Sequence, residues 1–292
     1  MAIRCVVCVK QVPDTKRITG EAMKDDGTVN RSALPAIFNP EDLNALEAAL
    51  EIRDRVGGSV TVVTMGPPAA CEVLRQSMFL GADRAVLITD RRAAASDTLA
   101  TSYILSRAVE KVGADVVLCG RQAIDGDTAQ VGPQLAEKLS LPLVTYVEEL
   151  IDVSADRLRL RRNVGNGWEI VDCPVPCLLT VMETANTPRP PSVRRMMKYK
   201  KARAAGEIAK EQPDTDPAAA EKALAAKGLL IEAWGLDDME ADLTWCGRDG
   251  SPTKVHRIQS VVLAGGEYRE FPPTDEGLTE LVAELIDDHT IG

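Results

Sequence analysis

The sequence predicts an α/β fold in which a Rossmann-like parallel sheet carries helices on both faces. Over the first 145 residues, short β-branched apolar runs alternate with amphipathic stretches of helical length. The apolar runs show no polar alternation, which is expected for strands that are buried on both faces. The strand–helix–strand order then implies parallel strands joined by right-handed crossovers.

The elements of this first half can be placed in order. The predicted strands are residues 3–9, 59–64, 85–88 and 115–119. The first helix has Asn39 as its N-cap and Pro40 at its first position, and it ends at Gly57. A second helix follows residues 67–68 and ends at Gly81, a third is capped by Asp97 and runs to about residue 112, and a fourth spans residues 128–139.

The pattern changes after Pro142. Residues 146–153, 157–163 and 168–171 are short alternating runs around a Gly-Asn-Gly turn, which predicts antiparallel hairpins. Residues 177–182 predict a buried strand that returns to the main sheet. The chain then becomes irregular, and a final acidic helix is expected over about residues 275–288.

Composition narrows the function classes. Lys+Arg 34 against Asp+Glu 44 gives a net charge of −10, which disfavours a general nucleic-acid binder, and 3% aromatic residues argue against base stacking. The absence of a long apolar run or a cleavable leader predicts a cytoplasmic protein that is not membrane-embedded. Seven cysteines without framework spacing predict reduced thiols.

Candidate site residues lie in the loops that follow the predicted strands, because ligands bind parallel sheets at the carboxyl ends of the strands. These loops are residues 9–14, 65–68, 96–102 and 119–133. Thr98 and Thr101 place hydroxyls at a helix N-terminus, where they either bind a phosphate or act as plain caps. The fourth loop, at 15 residues, exceeds the usual length for such a connection and indicates binding.

Several familiar sites are excluded. No P-loop and no G-x-G-x-x-G motif follows a predicted strand. Cys5 and Cys8 are three residues apart on a strand and therefore point to opposite faces. The two histidines, His256 and His289, lie far away in sequence, so we expect no metal site and no catalytic residue. Asp125 and Asp127 either form an acid–base pair or accept hydrogen bonds from ribose or backbone groups. The chemistry is therefore expected to come from a bound cofactor.

Six segments carry a resemblance to a known family. They are VCVKQVPD (7–14), FNPEDLNALEAAL (38–50), TMGPP (64–68), LGADRAVLITDR (80–91), DTLATS (97–102) and LCGRQAIDGDTAQVGP (118–133). Over about residues 1–205 the chain resembles the beta subunit of electron-transfer flavoproteins. The resemblance implies a heterodimer with an alpha subunit. It also implies a nucleotide/flavin-binding α/β domain of the adenine-nucleotide-binding type over residues 1–205, and a C-terminal arm over 206–292 that wraps the alpha subunit.

The family has two branches, and they imply different cofactors. In the electron-carrier branch the beta subunit holds structural AMP, and electrons pass from acyl-CoA dehydrogenases to a quinone reductase. In the electron-bifurcating branch that position holds the ADP half of a second FAD, which accepts a hydride from NADH and splits the electrons between high- and low-potential acceptors such as ferredoxin. The GDTAQVGP and DTLATS segments and residues 250–255 resemble the bifurcating branch.

The resemblance also implies the binding residues. Cys8, Asn39, Asp42, Met65 and the 125–136 loop would enclose the adenosine, while Thr98, Thr101 and backbone N–H groups around Gln130 and Val131 would hold phosphates and ribityl. The complete expected set is Cys8, Asn39, Asp42, Met65, Gly66, Thr98, Thr101, Cys119, Gly120, Asp125, Gly126, Asp127, Thr128, Gln130, Val131, Gly132 and Pro133.

Residues 182–191, METANTPRPP, fall where the family has its recognition loop for acyl-CoA dehydrogenases, but they lack the leucine of that loop. The segment is therefore either a docking loop or a solvated Pro-rich loop. The eight basic residues between 185 and 210, against one Glu, give this stretch a charge of +7 that would face an acidic partner or cofactor phosphates. A stress-protein-like ATP-binding regulator is the alternative from another class, but its phosphate loop is absent.

Overall fold

The computed structural model describes residues 2–14, 34–211, 216–254 and 269–287. Its strands are β1 (Ile3–Cys8), β2 (Gln11–Pro13), β3 (Ala36–Phe38), β4 (Gly58–Met65), β5 (Arg84–Ile88), β6 (Val116–Gly120), β7 (Leu143–Val153), β8 (Arg157–Asn163), β9 (Trp168–Pro174), β10 (Cys177–Val181), β11 (Arg203–Ala204) and β12 (Leu230–Trp234). Its helices are α1 (Pro40–Val56), α2 (Cys71–Leu80), α3 (Thr98–Val112), α4 (Val131–Lys138), α5 (Val193–Tyr199), α6 (Ala205–Glu211), α7 (Pro217–Ala226) and α8 (Asp275–Asp287).

One sheet organises the described residues, with the strand order β11-β12-β5-β4-β1-β6-β10-β7-β8-β9. The pairs from β11 to β7 are parallel, whereas β8 and β9 continue the sheet as an antiparallel hairpin. β2 and β3 form a separate antiparallel pair. The predicted α/β class with a Rossmann-like parallel sheet and an added hairpin is therefore confirmed.

The two faces of the sheet are covered by different helices. Buried residues of α1 and α2 pack in one apolar cluster with β1, β4 and β10, while buried residues of α3 and α4 pack in a second cluster on the opposite face. Cys5 belongs to the first cluster and Cys8 to the second, as the spacing along the strand predicts. Within the described residues, no helix is both long and apolar enough to cross a bilayer.

The hairpin region differs in detail from the prediction. β7 begins at Leu143, earlier than expected, and pairs in parallel with β10 before it pairs with β8. The register of β7 on β10 shifts near Tyr146, which has a left-handed backbone with φ of 56° and whose N–H donates to Thr180 Oγ1 at 3.1 Å. The hairpin is therefore an extension of the main sheet.

The chain beyond residue 205 contributes to the same sheet. β12 pairs in parallel with β5, and buried Trp234 and Leu236 join the α3/α4 cluster. The division at residue 205 stays a prediction. The last helix, expected over about 275–288, is α8, and residue 288 lies outside the described residues. His256 and His289 also lie outside the described residues.

Candidate functional site

A cavity of about 630 Å³ lies at the carboxyl ends of β1, β4 and β6, between α3, α4 and the segment 121–130, here called the 120s loop. The residues that line it are Cys8, Val9, Lys10, Asp42, Val63, Met65, Ser96, Asp97, Thr98, Thr101, Leu105, Cys119, Gly120, Arg121, Gln122, Ala123, Asp125, Gly126, Asp127, Thr128, Ala129, Gln130, Val131 and Gly132. This position is the one where parallel sheets bind ligands, and the volume is typical of a small-molecule site.

All but three of the residues expected from the sequence line this cavity. The exceptions are Asn39, which is completely buried, Pro133, and Gly66, which lines a neighbouring cavity of about 370 Å³. Whether the lining residues contact a cofactor stays a prediction.

Some lining residues were missed at the sequence level, although periodicity could have found two of them. Leu105 lies one helical turn beyond Thr101 on the same face of α3, and Val63 lies two residues before Met65 on the same face of β4. Lys10, Ser96, Arg121, Gln122 and Ala123 all belong to the loops singled out from the sequence, but no specific role was assigned to them there, and Asp97 was predicted only as a helix cap.

Asp42, in the first turn of α1, ties two strand ends together under the cavity. Its Oδ2 accepts the N–H of Lys10 at 2.8 Å, and its Oδ1 accepts the N–H of Gly120 at 3.1 Å. Burial raises the pKa of Asp42 to about 7, even though these two N–H bonds and a bond from Asn39 act in the opposite direction. A Cβ on Gly120 would lie 2.5 Å from Asp42 Oδ1, so only glycine permits this approach.

Glu41 and Asn39 continue this attachment along the start of the 120s loop. Glu41 Oε2 accepts the N–H of Gln122 at 2.8 Å, and Asn39 Oδ1 accepts the N–H of Ile124 at 3.2 Å while its Nδ2 donates to the Gln122 carbonyl at 2.9 Å. Asn39, Glu41 and Asp42, three polar residues at the start of α1, therefore accept every second N–H from 120 to 124. Burial raises the pKa of Glu41, although an ion pair with Arg121 at 3.0 Å opposes the shift.

The outer part of the 120s loop is held by side chains at the mouth of the cavity. Lys10 Nζ lies 2.7 Å from Asp125 Oδ1, and Gln122 Nε2 donates to Asp127 Oδ1 at 3.1 Å. Asp125 and Asp127 thus have different partners, and whether they act as an acid–base pair or accept hydrogen bonds from a ligand stays a prediction. Asp127 and Ala129 adopt left-handed backbones with φ of 49° and 51°, which delays the start of α4 from the expected residue 128 to Val131.

Two helix N-termini reach the cavity, and they differ in capping. At α3, Asp97 accepts the N–H of Ala100 at 2.9 Å and that of Thr253 at 3.0 Å. Burial raises the pKa of Asp97, but these N–H bonds lower it by more, so the pKa lies below its usual value. At α4, no side chain of the described residues caps the first turn, where the N–H groups of Val131 and Gly132 lie at the cavity wall. The predicted cap at Asp97 is confirmed.

Thr98 connects the two termini. Its hydroxyl donates to Gln130 Oε1 at 2.9 Å and accepts from Gln134 Nε2 at 3.4 Å. The Oε1 atom of Gln134 is buried and has no hydrogen-bond partner among the described residues. The hydroxyl of Thr98 therefore fixes the side chains that flank the open start of α4, while Asp97 caps α3.

Residues 182–192 form a second notable segment, and α1 holds it in place. Asn44 Nδ2 donates to the Asn186 carbonyl at 2.9 Å, and Arg189 forms ion pairs with Glu47 at 2.9 Å and with Asp54 at 2.9 Å. The α5 helix follows directly, with exposed Val193, Met196 and Met197. The segment is attached to the body by these contacts, so it is not a purely solvated loop.

Comparison with known proteins finds a family match and several similar proteins. The family described as "Electron transfer flavoprotein domain" matches residues 26–216. The chain is 47% identical to the acryloyl-CoA reductase electron transfer subunit gamma of Anaerotignum propionicum, with 99% of this chain and 100% of that protein covered. It is 40% identical to an electron transfer flavoprotein subunit beta of Clostridium acetobutylicum, with 98% of this chain and 99% of that protein covered. It is also 40% identical to the caffeyl-CoA reductase-Etf complex subunit CarD of Acetobacterium woodii, with 99% of this chain and 100% of that protein covered.

Proposed function

Because the chain belongs to the beta subunits of the electron transfer flavoprotein family, we propose that its cavity holds the ADP half of an FAD and that it works as a heterodimer with an alpha subunit. A flavin bound there would supply hydride acceptance from NADH and the separate transfer of two electrons to a high-potential and a low-potential acceptor. The chain's own residues bind and orient this cofactor.

The open N-terminus of α4 is the observation that carries the proposal. Its uncapped Val131 and Gly132 N–H groups and the positive end of the helix dipole suit a diphosphate. Asp97 already occupies the start of α3, so the phosphates belong at α4 and the Thr98 and Thr101 hydroxyls belong beside them. This division of roles between the two termini refines the sequence-based expectation.

The remaining lining fits the rest of a nucleotide. Val63, Met65 and Leu105 offer apolar surface to a ring, while the Asp125 and Asp127 carboxylates offer acceptors to ribose hydroxyls. None of the described residues that line the cavity is aromatic, so ring contacts come from aliphatic and sulfur-containing side chains. Asp42, Glu41 and Asn39 position the 120s loop from below.

The names of two relatives support a CoA-ester reductase as the redox partner. The Acetobacterium woodii protein is named as a subunit of a caffeyl-CoA reductase-Etf complex, and the Anaerotignum propionicum protein as an electron transfer subunit of acryloyl-CoA reductase. Both align with this chain over 99% of its length. We therefore assign an acyl-CoA dehydrogenase or related CoA-ester reductase as a redox partner, with ferredoxin or a quinone reductase as a further acceptor.

The alternative is a plain electron carrier that keeps AMP in the same cavity, and the cofactor content separates the two. The heterodimer with its alpha subunit is purified, its nucleotides are extracted with acid, and FAD and AMP are quantified. We expect about two FAD and no AMP per heterodimer. One FAD with one AMP would establish the carrier instead.

The α5 surface is proposed as the docking site for the dehydrogenase. Val193 is 74% exposed and Met197 58% exposed, and both are presented by a segment that Arg189 fixes to α1. Val193→Asp should lower the rate of electron exchange with an acyl-CoA dehydrogenase about tenfold, since it places a charge in an apolar contact. Leu243→Asp, at an exposed leucine elsewhere, is the matched control. Equal rates for the two variants would rule out this docking surface.

A further inference from the structure

Two cysteine thiols lie side by side in the floor of the cavity. β1 and β6 are parallel neighbours, and Cys8 is the direct register partner of Cys119. Both side chains pack in the α3/α4 cluster and both line the cavity, so they point to the same face. Cys5, on the same strand, points to the other face and is 1% exposed.

This placement meets the geometric requirement for a disulfide. Neighbouring strands lie about 4.8 Å apart, which is within the range of about 4.4–6.8 Å between the Cα atoms of bonded cysteines. Because both side chains leave the sheet on one face, their sulfur atoms can approach without a change of register.

The two thiols have different roles in such a reaction. The hydrogen bond with Cys8, together with burial, raises the pKa of Cys119 well above its usual value, so Cys119 keeps its proton longer. Cys8 is the more exposed of the pair, at 9% against 6%, whereas the raised pKa of Cys119 disfavours its thiolate. Cys8 is therefore the thiol that reacts first, and Cys119 is the one that resolves the product.

We propose that Cys8 and Cys119 form an oxidisable dithiol, which a disulfide oxidant of the glutathione class converts into a cross-strand disulfide when no nucleotide covers the cavity floor. The Cys8 thiolate attacks one sulfur of oxidised glutathione and releases one glutathione thiolate. The Cys119 thiolate then attacks the Cys8 sulfur and releases the second. Two protein thiols are oxidised, one glutathione disulfide is reduced to two thiols, and the two protons pass to the glutathione thiolates.

Coverage by the nucleotide is the part of this inference that rests on the proposed function. A nucleotide lying over the thiols blocks the attack, so only the empty protein reacts. The oxidation rate then falls by the factor 1 + [L]/Kd, about a hundredfold when the nucleotide is at 100 times its Kd. The dithiol itself depends only on the placement of Cys8 and Cys119.

The test uses the full heterodimer, emptied of nucleotide by dialysis against a chaotropic salt and returned to buffer. Its binding of AMP and of FAD is first measured by calorimetry. Oxidised glutathione is then added, with or without the nucleotide that binds, and tryptic peptides are followed by mass spectrometry. Cleavage after Arg4, Lys10, Lys111 and Arg121 leaves Cys8 on peptide 5–10 and Cys119 on peptide 112–121. The expected product is the disulfide between these two peptides.

Variants separate the roles of the cysteines. Cys5→Ala is the matched control, because it removes the other thiol of peptide 5–10 and should leave the cross-link intact. Cys119→Ala should stop the reaction at a glutathione mixed disulfide on Cys8, and Cys8→Ala should abolish the cross-link.

The outcomes are distinct for the two proposals. No cross-link in the emptied protein, or a cross-link that disappears in Cys5→Ala, overturns the dithiol. An equal oxidation rate with and without saturating nucleotide overturns the inference that a bound nucleotide covers the two thiols. If the cross-link forms in a protein whose extracts contain neither FAD nor AMP, the dithiol proposal is supported and the proposed function is overturned.

Discussion

Thr98 links the starts of α3 and α4 through its hydroxyl, and Thr101 lies one turn further on the same cavity wall. Thr98→Ala combined with Thr101→Val should weaken nucleotide binding in this cavity about tenfold or more, because each lost hydroxyl contact is worth about 1 kcal/mol or more. The flavin of the alpha subunit should be unaffected. The measurement is the nucleotide content of the heterodimer after gel filtration.

Ser106→Ala is the control for this double variant. Ser106 lies on the same helix and donates to the Tyr103 carbonyl at 2.7 Å, but it does not line the cavity. The nucleotide content of the Ser106→Ala heterodimer should match that of the unmodified heterodimer. If the double variant also keeps its full content, the two threonines serve only the helix.

Asp42 gives a pH dependence with a defined sign. Its pKa is raised from 3.8 to about 7 by burial, so between these values the folded protein binds a proton that the unfolded chain has released. The contribution of Asp42 to stability therefore falls as pH rises from about 4 to about 7, with a slope of up to about 1.4 kcal/mol per pH unit. Urea unfolding of the protein and of Asp42→Asn across this range tests the sign.

The comparison needs only the difference between the two unfolding curves, since every other group titrates in both. The stability of the protein relative to Asp42→Asn should decline as the pH rises. Parallel profiles for the two proteins would show that Asp42 is ionised throughout, held so by the N–H groups of Lys10 and Gly120.

At the scale of elements, the start of α1 controls the 120s loop without lining the cavity at every position. Asn39→Ala should leave the Gln122 carbonyl and the Ile124 N–H without their side-chain partner, at about 1–3 kcal/mol for each unsatisfied group. Amide hydrogen exchange should rise in residues 121–130, and nucleotide affinity should fall. Exchange mass spectrometry and calorimetry measure the two effects.

Asn44 provides the matched control, because it is an asparagine one turn later on the same helix. Its Nδ2 donates to the carbonyls of Glu183 and Asn186, at 3.2 and 2.9 Å. Asn44→Ala should therefore raise exchange near residues 183–186 and leave the 120s loop unchanged. The same exchange pattern in both variants would mean that α1 loosens as a whole and does not hold the two segments separately.

Local patterns were sufficient to predict β1, the strands from β4 to β10 and most of the cavity. β1, β4 and β6 are continuous apolar runs, and the loops after them necessarily gather at one edge of a parallel sheet. The contacts of Glu41 and Asn39 with the 120s loop were beyond such patterns, because the partners are about 80 residues apart in sequence. β12 was also missed: Leu230–Trp234 mixes polar and apolar residues, and its pairing with β5 is a long-range contact.

At the scale of the whole molecule, the uneven charge distribution is partly neutralised within the chain. Of the basic residues between 185 and 210, Arg189 pairs with Glu47 and Asp54, and Arg203 pairs with Glu211. The single acid of that stretch, Glu207, is paired with Arg75 at 2.9 Å. The positive charge left for a partner is therefore smaller than the +7 of the sequence and is centred on residues 194–201.

The α8 helix gives the last prediction, which concerns assembly. Leu278, Val282 and Ile286 are spaced by four residues and are each about half exposed, at 55%, 46% and 50%, and of the described residues of α8 only Gly277 is buried. An apolar stripe of this kind needs a partner surface. We propose the alpha subunit as that partner, consistent with an arm over residues 206–292.

Leu278→Ser with Val282→Ser should therefore weaken the heterodimer about a hundredfold or more, because each buried aliphatic side chain contributes about 1.5–3 kcal/mol. The dissociation constant is measured by analytical ultracentrifugation. Glu276→Gln with Glu280→Gln, at exposed acidic positions of the same helix, is the control and should leave that constant nearly unchanged. If the serine variant assembles as tightly as the control, α8 does not contact the alpha subunit and the arm has another role.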